Sequence, residues 1–381
     1  FYINMFSSMM PLLPAFTRCY ASSATAFDYA LKIRTEMINN SEKMAKSESS
    51  AQVKQGDKMP INNPIDKEDG SVLPNKRTWS FASLKPDEIV EFLYKNIVWD
   101  KYGIVAINKP YNVSCQGGTV ARGSVNLIDH LPGLAARLSC PHLHPVHRID
   151  RTSTGIVLLA RTEQQARHLK LCFKERRIEK YYYCITRDVP SPLEGIVDIP
   201  LTASAKHRDC DWRAALRPTQ SALDEANLTV LTRARVPTAS SRSGAKEAVT
   251  RYRVVDKFER CALVEVQPLT GCKHQIRVHL GYGLNTPVLG DHKYSSMRDR
   301  LMPQRLPEST LTRLGIRPAR ARDLPLFLHC QRVAVPVDPS KSPSDSASVS
   351  VIKAPFPYQF VWVMRQLKLR LPIKLIRSKF I

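Results

Sequence analysis

The chain has 381 residues, 43% of them hydrophobic, which is enough for one large domain or two ordinary ones with a sizeable core. Lys and Arg number 57 against 34 Asp and Glu, a formal net charge of +23. Such an excess repels itself unless a polyanion screens it, and because the basic residues run through the whole chain rather than along one amphipathic helix, nucleic acid is favoured over an anionic membrane surface.

No uninterrupted apolar run approaches the ~20 residues of a membrane-spanning helix, so no membrane insertion is expected. Nine cysteines, an odd number without a Cys-x-x-Cys pair, fit neither a zinc ribbon nor a disulfide framework. A reducing compartment suits them best.

Residues 1–25 hold Arg18, serines and hydrophobics, and no acid precedes Asp28. This composition predicts a mitochondrial targeting segment and hence a matrix location, with cytoplasm or nucleus as the alternatives. Residues 26–80, rich in Ser, Lys, Asn, Asp and Pro, read as a linker or extension. A catalytic domain is expected over 83–350, starting with a helix at Pro86-Asp87-Glu88, where a first-turn proline and acids precede an apolar face.

Ile104–Ile107 is a β-branched run that ends in the turn Asn108-Lys109-Pro110. Ile156–Ala160 reads as a buried strand, and Thr162 as the cap of a helix over Glu163–Arg177 with Ala166, Leu169, Leu171 and Phe173 on its apolar side. Tyr181–Ile185, Tyr252–Val255, Ala262–Val266 and Gln275–Leu280 are further strand candidates. Residues 203–247 form a polar, basic insertion read as RNA-facing, with an inconsequential solvated loop as the alternative. From 351 to 381 a basic extension is expected to supply a last strand and helix packed on the domain.

Two segments carry chemistry. In the first, His147-Arg148-Ile149-Asp150-Arg151-Thr152-Ser153-Thr154-Gly155, an aspartate lies between two arginines in a turn, which would hold it ionised; an isolated surface salt bridge would look the same. In the second, Gln267–Leu280, the turn Thr270-Gly271 precedes an alternating stretch that would place Gln275, Arg277 and His279 on one strand face, toward solvent or a cleft. His142, His144 and His147 with Cys140 suggest a metal, yet Pro141 and Pro145 break the run and no second Cys/His cluster completes a site. Gly281-Tyr282-Gly283 lacks the helix a phosphate loop needs. No metal and no cofactor are expected.

Together these segments resemble the RluA-type pseudouridine synthases over about residues 97–335. The resemblance implies an α/β (α+β) fold with a large, mostly antiparallel mixed sheet, flanking helices and a central cleft; periodicity alone predicts only alternating strands and helices. It places the family's nucleophilic aspartate at Asp150, its ion-pair arginine at Arg277 and, through Lys180-Tyr181-Tyr182-Tyr183-Cys184, its active-site tyrosine at Tyr182. His147, Arg148, Arg151, Thr152, Lys180, Lys273, His274, Gln275 and Ile276 surround them as candidate RNA-binding residues. Asn108-Lys109-Pro110, Pro287–Tyr294 and Leu326–His329 match further motifs of the family.

Ile149, Thr154 and Cys184 are small departures from the pattern. Cys272 stands where the family has Arg, which removes one possible phosphate contact, and Asn112 replaces a turn glycine whose left-handed backbone Asn tolerates. The implied activity is isomerisation of uridine to pseudouridine in RNA, with no DNA partner. If import occurs, mitochondrial large-subunit rRNA is the expected substrate, followed by mitochondrial mRNA or tRNA. The rival functions are a catalytically silent RNA-binding or ribosome-assembly factor on the same fold, and a metal-dependent hydrolase using the His142–Asp150 cluster.

Overall fold

The structure, a computed structural model, describes residues 81, 84–116, 125–203, 213–217, 244–296, 302–337 and 349–371. The expected targeting segment and linker, most of the 203–247 insertion and the last ten residues of the C-terminal extension lie outside the described residues.

In chain order, α1 (Pro86–Lys95), β1 (Ile97–Lys101), β2 (Ile104–Lys109), β3 (Val113–Ser114), β4 (Val125–Asn126) and α2 (Leu127–Arg137) precede β5 (His144–Pro145), β6 (Thr154–Ala160) and α3 (Glu163–Lys174). There follow β7 (Glu179–Arg187), β8 (Glu194–Asp198), β9 (Leu201–Ala203), β10 (Ala214–Leu216), β11 (Val249–Phe258), β12 (Cys261–Pro268) and α4 (Gln275–Val278). The last elements are α5 (Glu308–Leu314), β13 (Leu328–Pro336), β14 (Val349–Lys353) and α6 (Tyr358–Gln366).

Ten strands make one sheet in the order β1-β2-β6-β13-β7-β12-β11-β8, with β14 beside β13 and β5 beside β6. Its pairs are antiparallel except β6 with β13, which run parallel through Thr154–His329 and Gly155–Cys330. This is the expected mixed, mostly antiparallel sheet.

The unbroken apolar runs of β2 and β6 follow from burial on both faces. Ile104, Ala106, Ile156 and Leu158 point to one core with Ala166, Leu169 and Cys172 of α3. Val105, Ile107, Val157 and Leu159 point the other way, onto Leu93 of α1 and Leu131 and Leu134 of α2. A third core joins Tyr183, Ile185 and Leu263 to Phe360, Val363 and Met364 of α6.

Thr162 caps α3 as expected, its hydroxyl accepting from Gln165 N at 3.2 Å. The buried side of that helix is nonetheless Gln165, Ala166, Leu169 and Cys172, whereas Leu171 is 46% exposed. A residue five positions after Ala166 is rotated off the 3.6-residue stripe, and Cys172 takes its place. Asn112 does adopt the left-handed backbone (φ 65°) its turn needs.

One expectation needs correcting, and so does one segment of a second. Gln275–Leu280 is not a strand: α4 covers Gln275–Val278 and a π-helical turn continues over His279–Gly283. Within the 203–247 stretch, Ala214-Ala215-Leu216 does not face outward, because it pairs antiparallel with β9 and is buried beneath α4 with Val278 and Tyr294, whereas residues 244–247 are exposed. Three consecutive apolar residues inside a polar stretch lose less by pairing than by staying in water.

Candidate active site

Asp150 lies on the loop that enters β6, fixed on both sides by its neighbours. Ile149 and Ser153 are buried, and Ser153 N donates to Asp150 O at 3.0 Å to close a turn. Beneath the loop Lys109, fully buried, donates from one ammonium to Pro110 O, Val113 O and Arg151 O at 2.8, 2.9 and 3.2 Å. Gly155 follows at φ +109°, and a Cβ there would run into the Cys330 backbone, so only glycine allows β6 to approach β13 this closely. The carboxylate of Asp150 stays 21% exposed while its surroundings are packed.

Arg277 reaches Asp150 from α4, Nη1 to Oδ2 at 3.1 Å. Residues 275, 277 and 279 do not share a face, as a strand would require, because helical steps of about 100° per residue send every second side chain to opposite sides. Gln275 and His279, four apart, both turn to β11, where they meet Thr250 Oγ1 at 2.9 and 2.8 Å. Arg277 points into the cleft. Gln275 also holds the helix start: its Oε1 accepts from Cys272 N and Thr270 Oγ1 at 3.0 and 2.8 Å.

The other edge of Arg277 is forked onto Asp291, Nε to Oδ2 at 2.7 Å and Nη2 to Oδ1 at 3.0 Å. Tyr182 stands on β7 opposite Cys330 of β13 and Val266 of β12, in the same wall of the cleft.

Burial pushes the Asp150 carboxyl up, but His274, Arg277 and Lys109 pull it down by more, so it sits below the ordinary carboxylate value. His274 is itself lowered by burial to about 3 and is neutral at pH 7, which leaves Arg277 as the cation in contact with Asp150. Its ring is held in place all the same: Tyr294 Oη accepts from Ala214 N at 3.1 Å and shares a 2.6 Å hydrogen bond with His274 Nδ1, which leaves His274 Nε2 3.7 Å from Asp150 Oδ1. Burial, followed by Cys330 and Asp150, raises the Tyr182 phenol well above its usual value, so it is a neutral hydroxyl. Burial lowers Lys109 to about 8.

The cleft encloses about 540 Å³. Its wall includes His147, Arg148, Asp150, Lys180, Tyr182, Lys273, His274, Gln275, Ile276 and Arg277; of the residues singled out in the sequence, Arg151 and Thr152 are not in it. His147 serves the scaffold: its Nε2 accepts from Leu158 N at 2.9 Å, its ring lies 4.6 Å from Phe173, and burial lowers it to about 3. Arg148 donates to Gln116 Oε1 at 3.0 Å. Among the described residues no group of three or more His, Cys, Asp or Glu is placed to hold a metal.

Sequence reasoning did not assign Lys109, Ser153, Asp291 or Tyr294 to the site, nor Lys174 and Arg176 to its rim. Lys109, Asp291 and Tyr294 all fall in quoted motifs, so the signal was present without a role attached to it.

A sequence model described as RNA pseudouridylate synthase matches residues 103–282. The zebrafish (Danio rerio) protein Pseudouridylate synthase RPUSD4, mitochondrial, is 38% identical over 259 residues, which cover 67% of this chain and 70% of that protein. Its human (Homo sapiens) namesake is 36% identical over 263 residues, 68% of this chain and 67% of the relative. A solved structure of human RNA Pseudouridylate Synthase Domain Containing 4 superposes with a TM-score of 0.60 at 33% identity, covering 75% of this chain and 98% of that one. A paired carboxylate and guanidinium in a cleft beside a buried tyrosine, on this sheet and in this sequence company, thus place the chain in the RNA pseudouridylate synthase family, as an enzyme that isomerises uridine to pseudouridine in RNA.

Proposed function

We propose that Asp150 is the nucleophile of this isomerase and that its substrate is mitochondrial RNA in the matrix, foremost the large-subunit rRNA or a ribosome-assembly intermediate. The ion pair of Asp150 with Arg277 in the lining of the cleft carries the first part. The mitochondrial relatives named above support the second.

The reaction breaks the bond from uracil N1 to ribose C1′, turns the base and joins C5 to C1′; the C5 proton is lost and N1 ends protonated. No atom is gained or lost overall. An ionised carboxylate serves this by attack on the sugar or base, or by abstracting a sugar proton. Arg277 helps keep Asp150 charged and aligned against the burial that pushes its pKa up. Tyr182 offers the uracil an aromatic face and a neutral hydroxyl for proton handling. Arg148, Lys180 and Lys273 on the wall would take flanking phosphates, supplying the few kcal/mol needed to unstack the target base.

Asp150→Ala should abolish pseudouridine formation on transcripts of mitochondrial rRNA while RNA affinity persists. Retained product would refute Asp150 as nucleophile. Mapping pseudouridine in mitochondrial RNA from cells lacking the protein tests the substrate: a lost site in large-subunit rRNA is expected. Unchanged modification alongside defective ribosome assembly would instead favour the RNA-binding assembly role.

A further inference from the structure

The loop that follows the cleft in sequence, Gly290 to Tyr294, contributes none of the residues lining the cleft, yet it grips both partners of Asp150. Asp291 is 1% exposed and takes one edge of the guanidinium, Nε and Nη2, leaving Nη1 for Asp150. Its own position is set twice more: Oδ1 also accepts from Lys293 N and Tyr294 N at 3.0 and 3.2 Å. The Tyr294 ring packs 5.1 Å from the same guanidinium, and its hydroxyl orients His274. Upstream, Gly290 adopts φ +80°, where a Cβ would strike Pro325 O, and its N–H donates to the buried Gln304 Oε1 at 2.9 Å. A loop this constrained cannot drift.

An arginine held by one hydrogen bond could rotate about its long side chain, whereas a two-point fork fixes the guanidinium plane. The charge arrangement matters as well. One guanidinium stands between two carboxylates, so Asp291 neutralises part of the field that Arg277 would otherwise impose on Asp150.

We infer that Asp291 is a positioning residue for the isomerisation: through its fork on Arg277 it aims Nη1 at Asp150 and keeps that carboxylate from being over-stabilised as an anion. This rests on the proposal that Asp150 is the reacting carboxylate. Asp291 itself is buried and is not among the residues lining the cleft.

The test uses the full chain and a transcript it modifies, with kcat, KM and the acid limb of kcat measured for Asp150→Asn, Asp291→Asn and Asp291→Glu. The groups facing Asp150 are Arg277, His274, Lys109 and the Tyr182 phenol, and none of them is altered in these variants. Asp291→Asn loses the fork and one negative charge. Its kcat should fall on the order of a hundredfold, the loss expected when a reacting group is misplaced by about 1 Å, with KM near the parent value. Its acid limb should move to lower pH, because Arg277 then acts on Asp150 alone. Asp291→Glu keeps the charge but displaces the fork, so kcat falls and the limb stays.

Parent kcat with an unmoved limb in Asp291→Asn, or a loss confined to KM, would overturn the inference. If the asparagine variant does not fold, the glutamate variant decides alone: a reduced kcat at unchanged KM supports the inference and a parental kcat refutes it. An active Asp150→Asn would instead refute the nucleophile assignment, so the two failures are distinct.

Discussion

Lys109 shows how one side chain can hold the nucleophile's loop without touching the cleft. A protonated amine has three N–H bonds, one for each of Pro110 O, Val113 O and Arg151 O. A neutral amine has two, so one carbonyl loses its donor when Lys109 deprotonates. Burial has already brought that event down to about pH 8. The stability consequence has the opposite sign to the catalytic one. Between pH 8 and the unfolded lysine value of 10.5, the unfolded chain holds a proton that the folded chain has released, so this group's contribution to stability rises with pH. Activity is therefore expected to decline above about pH 8 while the contribution of Lys109 to stability does not, a divergence visible by comparing kcat with denaturant midpoints across pH 7 to 10. Lys109→Met should leave the buried Val113 carbonyl and two part-buried ones without this donor and destabilise the chain by about 2 kcal/mol. An unchanged denaturant midpoint for that variant would sink the account.

The parallel contact of β6 with β13 is what brings the Asp150 loop, Tyr182 and Leu328 to one place, and it hangs on Gly155. Gly155→Ala combines a positive φ with a collision against the Cys330 backbone. Neither can relax without separating the two strands, and a loss above about 4 kcal/mol is expected. Urea unfolding would read it; a change under about 1 kcal/mol would show that the strands separate freely.

The same elements show what could be read in advance. The strands of the sheet were legible because burial on both faces leaves long β-branched and aromatic runs, as in Ile104–Ile107 and Ile156–Ala160. The stretch 275–280 was not, because polar residues at every second position suit a strand face as well as a short helix whose two sides meet different partners. Only the contacts of Gln275 and His279 with Thr250, opposite Arg277, decide between them. Asp150, Tyr182 and Arg277 were each legible from their motifs and do converge. Lys109 and Asp291 were not, since a charged residue in a turn reads as exposed until the packing around it is known.

Across the whole molecule, charge governs both substrate affinity and resistance to acid. Besides Arg277, which is held by Asp150 and Asp291, five cations reach the cleft wall, Arg148, Lys174, Arg176, Lys180 and Lys273, and Arg176 is forked onto Glu247 at 3.1 and 2.6 Å. If the other four meet phosphates, the logarithm of RNA affinity should fall with log salt at a slope of about −3, or some fiftyfold between 50 and 200 mM. A filter-binding series would measure it, and a slope near zero would place the RNA on another surface.

Acid acts through the histidines. Burial lowers His147, His274 and His329 to about 3 and His279 to about 4, against 6.5 when unfolded. In the window between, the unfolded chain binds protons that the folded chain refuses, so stability is lost as pH falls from about 6.5 toward 4. At pH 5 each histidine is about 1.5 pH units below its unfolded value, a loss of about 2 kcal/mol each and about 8 for the four. That is comparable to the whole stability of a typical domain. The depressed carboxylates, Asp150 and Asp291, withdraw their support only below the ordinary carboxylate range and so do not set this window. The chain should consequently unfold near pH 5, taking up about four protons as it does, rather than near pH 3 as carboxylate-driven acid unfolding would have it. Circular dichroism against pH with potentiometric proton counting would check both quantities, and a stability that stayed level from pH 7 to 4.5 would show that these histidines protonate without opening the fold.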